Sequence, residues 1–207
     1  MRVYKLLSGR HGLKVLRERR LKITEIGELN DPYELLPFDL SDGRYRPVFD
    51  AVKNEIAKTR GLVCFSGGWE NPVLWSHYGD CHRGMSLGFE IEEAVARPIH
   101  YVDKLLPLPP PTKETALALL FTKFAHWRYE GEVRVWASIE ERSAGLFFYP
   151  FGEGLRLAEV ICGVNCSISC MKVARLLLAG FEGVRLKQVR RAHDAFRMIE
   201  DETGAVI

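Results

Sequence analysis

Residues 62–91, LVCFSGGWENPVLWSHYGDCHRGMSLGFEI, constrain the fold more than any other stretch. Leu62–Phe65 and Met85–Ile91 are apolar runs of strand length, so both are expected as buried strands. The segment between them concentrates Ser66, Trp69, Trp75, His77, Tyr78, Cys81, His82 and Arg83. Aromatic and ionisable groups crowded between buried strands mark a candidate site.

The surrounding chain has the means to build a core around those strands. Its 207 residues are 47% apolar and 27% charged, the composition of an ordinary soluble protein, and one domain over residues 1–207 is expected. The segment MRVYKLLSGRHGLK lacks the apolar run of a signal peptide, and no later run nears the roughly 20 residues needed to cross a bilayer. A cytoplasmic protein with no membrane partner is the expectation, and its five cysteines should then be thiols. Cys162, Cys166 and Cys170 recur every fourth residue, the spacing of one helix face rather than of a metal knuckle, and read as small buried residues. Net charge is only +2, but Lys14, Arg17, Arg19, Arg20 and Lys22 form one basic cluster and Arg185, Lys187, Arg190 and Arg191 another. Each is either a solvated face or a phosphate contact.

Periodicity supplies the remaining elements. Val3–Leu7 opens as a strand, Gly12–Arg20 has the spacing of a short amphipathic helix, and Leu21–Thr24 reads as a strand. In Asn30-Asp31-Pro32-Tyr33-Glu34 the proline drives Asp31 out of the helical region, which predicts a rigid turn with its polar side chains held in place. Val48–Thr59 is helical and Glu92–Arg97 is expected as one helical turn. His100–Val102 reads as a short strand, and the proline-rich run Leu106–Pro111 as an extended spacer. A helix then runs from the N-cap Thr112, with Glu114 at its positive end, to Trp127. Glu130–Ile139 alternates as a strand, with Glu130, Glu132 and Arg134 in one row that forms either a solvent face or a cleft wall. Strands at Leu146–Phe151, Glu159–Cys162, Val184–Val189 and Phe196–Ile199 and a helix at Met171–Leu178 complete an α+β domain. It should have mixed or antiparallel sheets of short strands and about four helices.

Several chemistries are open to these residues. His77, Cys81 and His82 suggest a metal, but the spacing completes no ligand set, and no metal is predicted. A thiol nucleophile, Cys64 or Cys81, with His77 or His82 as base is a second option. The carboxylate row offers a third: Glu130 or Glu132 could stabilise the oxocarbenium-like transition state of a glycosidic bond cleavage. Trp69, Trp75 and Tyr78 could then stack on a flat ring, and Lys5, Arg83 and Arg134 could hold phosphates, so a nucleotide is the expected ligand. Asn30 and Asp31 would line the same cleft. Neither GxGxxG nor GxxxxGK[ST] occurs, which argues against a Rossmann or P-loop enzyme.

A series of short motifs resembles the bacterial and phage family catalogued as domain of unknown function twenty-nine seventy-one. They are Tyr4-Lys5, Asn30-Asp31-Pro32-Tyr33-Glu34, Cys64-Phe65-Ser66, Trp75-Ser76-His77-Tyr78, Arg83-Gly84 and Gly88-Phe89-Glu90. Lys123 with Trp127, Tyr129-Glu130-Gly131-Glu132-Val133-Arg134 and Glu159-Val160-Ile161-Cys162-Gly163 close the series. Some members lie near phage-defence and toxin–antitoxin genes, and the layout is loosely similar to ADP-ribosyltransferases. That likeness implies NAD as co-substrate, Glu132 or Glu130 as catalytic carboxylate, Tyr4, Ser66, Trp75 and Tyr78 around the NAD, and a protein or nucleic-acid acceptor. A sensor module that binds a nucleotide or partner without turnover is the alternative. A nuclease using His77, His82, Glu130 and Glu132 is a further one.

Overall fold

A computed structural model describes residues 1–108, 110 and 112–202, with the side chains of Lys113 and Glu114 excepted. Pro109, Pro111 and the Glu114 carboxylate, expected in the spacer and at the helix start, therefore lie outside the described residues. The class is α+β: the described residues form twelve strands and five α-helices, paired both parallel and antiparallel. Contacts group them into two compact units, each assembled from separated segments: Met1–Leu21, Phe65–Glu93 and Pro150–Ile207 in unit 1, Lys22–Cys64 and Ala94–Tyr149 in unit 2.

Unit 1 contains β1 (Arg2–Leu7), α1 (Gly9–Glu18), α3 (Pro72–His77), β4 (Met85–Ile91), β10 (Leu155–Cys162), α5 (Ile168–Leu178), β11 (Arg185–Arg191) and β12 (Met198–Glu200). Its strands lie in the order β12-β11-β10-β4-β1. Val3, Met85, Leu87, Phe89 and Val160 are fully buried, which makes β4 the core strand that its continuous apolar run predicted. Helix α1 starts earlier than its apolar spacing suggested because Ser8 caps it, accepting from the His11 N–H. The regular cysteine spacing does not mark one helix face: Cys162 ends β10 and only Cys170 lies in α5. The neighbouring Cys162 thiol first and then burial push the Cys166 thiol up, and burial first and then Cys166 push Cys170 up.

In unit 2, β3 (Arg60–Ser66), whose last two residues belong to unit 1, lies next to β8 (Glu132–Ser138), and β8 next to β5 (Ala96–Pro98). Helix α2 (Arg46–Thr59) precedes β3, and α4 (Lys113–Phe121) precedes the short β7 (Thr122–Phe124). Strand β2 (Arg20–Ile23) pairs with β9 (Phe147–Pro150). Ile26, Leu35, Phe38 and Leu119 form a buried cluster against which Trp136 of β8 packs.

Two expectations fail here for a common reason. The helical turn expected at Glu92–Arg97 gives way to β5, an edge strand paired with β8 through Ala96 and Val135, where Pro98 is tolerated because an edge needs no amide from it. The helix expected to reach Trp127 stops at Phe121, since Thr122–Phe124 pairs in parallel with β6 (His100–Val102), Lys123 lying opposite Tyr101. In both places a strand partner distant in sequence overrides a local helical pattern. Among the described residues no helix is long and apolar enough to cross a membrane.

Candidate functional site

Strand β8 carries Glu132 and Arg134 on one face, and that face is neither solvated nor open: the two side chains are 4% and 0% exposed. Gly131, at φ 50°, ends the short 3-10 helix Ala125–Glu130 and turns the chain into β8, so Glu130 arrives from a helix rather than from the strand. Lys123 is supplied by β7, which is why the early end of α4 matters. Its ammonium lies 2.6 Å from Glu130 Oε2, 3.1 Å from Glu132 Oε2 and 3.5 Å from Glu34 Oε1. Arg134 donates from Nε to Glu132 Oε1 at 2.6 Å and from Nη2 to Glu34 Oε1 at 2.7 Å and Glu132 Oε2 at 3.1 Å. Three carboxylates thus face two cations, and all five side chains are at most 7% exposed.

Glu34 comes from the turn that the sequence marked as rigid. Asp31 Oδ1 accepts from the Tyr33 N–H at 2.9 Å, the Glu34 N–H reaches the Asp31 carbonyl at 3.1 Å, and Lys53 donates to the Glu34 carbonyl at 2.8 Å. Leu35 then takes φ 61°, a left-handed conformation that a leucine rarely adopts and that costs about 1–3 kcal/mol. Asp31 is buried within this turn, whereas Asn30 is exposed.

The two best-placed carboxyls have opposite proton affinities. Burial pushes the Glu132 carboxyl up, but the hydrogen bond and charge of Arg134, then the charge of Lys123 and the Cys64 thiol, outweigh burial and hold it at about 2. Burial likewise pushes Glu34 up, the cation Arg134 opposes, and the negative charge of Glu132 adds to the rise, leaving Glu34 above the usual carboxylate range. Glu34 Oε2 is buried and has no hydrogen-bond partner among the described residues. Environments that separate two carboxyls in this way divide ionised and proton-carrying roles between them.

Lys123 links this network to a cavity of about 300 Å³ lined by Tyr33, Leu36, Pro37, Val102, Leu105 and Phe124, with Lys123 and Thr122 among its polar residues. Tyr33 and Phe124 are large apolar side chains left 61% and 43% exposed, and the Phe124 ring stacks on His126 at 4.4 Å. An apolar pocket with one buried cation at its wall is the usual form of a small-ligand site.

The structure therefore brings Glu130, Glu132 and Arg134 together in unit 2, with Asp31 at the root of the turn that delivers Glu34. Tyr4, Lys5, Ser66, Trp75, His77, Tyr78 and Arg83 all belong to unit 1. Trp75 is fully buried there, its indole N–H donating to the Trp69 carbonyl at 2.7 Å, and so has no face for a ligand ring. Tyr4 donates to Glu159 at 3.1 Å and its phenol is pushed up to about 12, by burial first and then by that carboxylate. Ser66 pairs with Tyr4 across the β3–β1 ladder and is buried. Arg83 is exposed and paired with Asp80 at 3.2 Å, and the His77 and Tyr78 rings meet edge to face. Lys5 is half-buried in β1. Much of the basic charge is also answered: Glu18 takes Lys14 and Arg20, Glu28 takes Lys22, and Glu159 takes Arg185 and Lys187. Glu34 and Lys123 were visible in the sequence only as parts of longer motifs, and their membership of the network is the main addition the structure makes. Among the described residues no three His, Cys, Asp or Glu side chains are grouped so as to hold a metal ion. Neither a family model, nor a curated protein, nor a solved structure matches the chain.

Proposed function

We propose that the protein is a nucleotide-handling enzyme, most concretely an ADP-ribosyltransferase-like effector that cleaves the nicotinamide–ribose bond of NAD at the unit 2 site. What supports this reading is the pairing of an ionised Glu132 with a Glu34 of raised proton affinity behind an apolar, aromatic-edged pocket. In the reaction the C–N bond breaks with its electron pair going to nicotinamide, and positive charge develops on the ribosyl carbon. The fixed negative charge of the Glu130–Glu132 pair favours that cation electrostatically. An acceptor oxygen, from water or from a protein or nucleic acid, then bonds to the carbon, and its proton passes to Glu34. The resemblance to the bacterial and phage family of unknown function agrees with a role in phage defence or a toxin system.

The test is nicotinamide release from NAD by the purified protein, beside Glu34→Gln and Glu132→Gln. Release by wild type that falls about 100-fold or more in Glu34→Gln is the expected outcome. Equal inertness of all three proteins across protein, RNA and DNA acceptors would remove the enzymatic reading. One observation favours a sensor instead: both oxygens of Glu132 are already occupied by Arg134 and Lys123. Saturable NAD binding without turnover would establish that second reading.

A further inference from the structure

A second constellation stands in unit 1, outside the carboxylate network. Helix α3 is capped by Asn71, whose side chain accepts from the Val73 N–H at 2.9 Å, and it presents Ser76 on its exposed side. The chain then turns through Gly79 and enters three successive left-handed residues, Asp80 at φ 52°, Cys81 at φ 50° and His82 at φ 67°. None is glycine, and each such conformation costs about 1–3 kcal/mol. The turn is held by backbone bonds from His82 N to Trp75 O at 3.2 Å, Arg83 N to Asp80 O at 3.1 Å and Gly84 N to Gly79 O at 2.8 Å. The Asn165 N–H fixes the His82 carbonyl from outside at 3.0 Å. Gly84 is required because a Cβ there would collide with the Leu7 carbonyl oxygen.

This arrangement folds His82 back over α3. Its Nε2 lies 3.1 Å from Ser76 Oγ, within reach of a proton transfer. The hydroxyl also lies 3.2 Å from the Pro72 carbonyl, so its proton has two acceptors and a rotation about the C–O bond directs it to the imidazole. Burial lowers the proton affinity of His82, which favours the neutral ring, while Ser76 is open to solvent. Among the described residues Nδ1 is buried with no partner, and the Ser76 contact is the one side-chain hydrogen bond that orients the ring.

We propose that Ser76 and His82 form a nucleophile–base pair that takes an acyl group from an activated ester. Ser76 Oγ bonds to the carbonyl carbon while its proton moves to His82 Nε2. The ester C–O bond then breaks, the leaving oxygen takes that proton, and water later releases the acyl group from Ser76 as a carboxylic acid. No cofactor or oxidant enters the balance.

The test uses the full chain in a Cys81→Ser background, which removes the exposed neighbouring thiol. An alkyl fluorophosphonate serves as probe: Oγ bonds to phosphorus and fluoride leaves. The adduct is mapped by mass spectrometry, and phenolate release from p-nitrophenyl acetate is followed in parallel. Labelling on Ser76 is expected, lost in Ser76→Ala and slowed about 100-fold in His82→Asn. Asparagine tolerates the left-handed conformation, so this variant keeps the turn, as circular dichroism would verify. Absence of a Ser76 adduct, or equal labelling rates with and without His82, would overturn the assignment.

Discussion

Glu34 and Glu132 lie in one network yet should act on stability with opposite pH dependence. Glu132 has its folded proton affinity depressed, from the ordinary 4.5 to about 2. A depressed carboxyl adds stability above its unfolded value and loses it as pH falls through the folded one. At about 1.4 kcal/mol per pKa unit the contribution is about 3 kcal/mol, present at neutral pH and lost between roughly pH 4.5 and pH 2. Glu34 is raised, so the native state binds its proton more tightly than the unfolded chain does. Its contribution is complete below about pH 4.5 and declines as pH rises through its folded value. Glu132→Gln should therefore be less stable than wild type at neutral pH by about 3 kcal/mol, with the gap closing in acid. Glu34→Gln should instead gain on wild type as pH rises, because it removes the surplus negative charge while its carbonyl still accepts from Arg134. Urea unfolding of the three proteins across pH 3–8, analysed as differences from wild type, isolates these two groups from the other carboxylates. Parallel curves for both variants would refute the division of protonation between Glu34 and Glu132, and with it the proton-accepting role given to Glu34.

Arg134→Met should destabilise by about 3–5 kcal/mol, since it strands buried carboxylates without their principal cation, and the fall in thermal midpoint measures it. Gly84→Ala should destabilise by more than about 2 kcal/mol in chemical unfolding, because the new methyl meets a carbonyl oxygen of β1 that cannot move. Gly12→Ala should cost less by the same assay, as the atoms in its way are the flexible end of Met85. Asn71→Ala removes the cap of α3 and should cost about 1 kcal/mol, while lowering any fluorophosphonate labelling of Ser76 by loosening the helix that presents it.

Most strands were legible because their apolar runs are local facts: Met85–Ile91 is both the expected and the observed element. The helix expected through Trp127 fails because nothing near Thr122 signals that His100–Val102 will pair with it. The site divides along the same line. Glu130, Glu132 and Arg134 stand out through alternation, a property of neighbours, whereas Glu34 meets Arg134 across 100 residues of chain, a contact that no periodicity encodes. Trp75 shows the converse error of reading. A large aromatic in a motif-rich loop suggests ring stacking, but its indole N–H had a partner six residues away and its ring is wholly in the core.

Two buried glutamates make clear why the chemistry is assigned where it is. Glu159 is 3% exposed in unit 1, yet Arg2, Lys187 and Arg185 surround it, Tyr4 donates to it, and its carboxyl lies below the ordinary range despite the opposing effect of burial. That is a carboxylate answered by cations, which holds strands together and has no spare capacity for protons. Glu34 is equally buried but shares its cations with two other carboxylates and is followed by a leucine in a strained conformation. Neither Oε2 has a hydrogen bond among the described residues, but that of Glu159 is ion-paired to Lys187 at 2.8 Å, whereas the ion pairs of Glu34 use Oε1. Buried ion networks seldom stabilise a fold better than apolar side chains of the same volume. A network that also carries surplus charge and backbone strain therefore costs stability, and that cost is what the role proposed for Glu34 would account for.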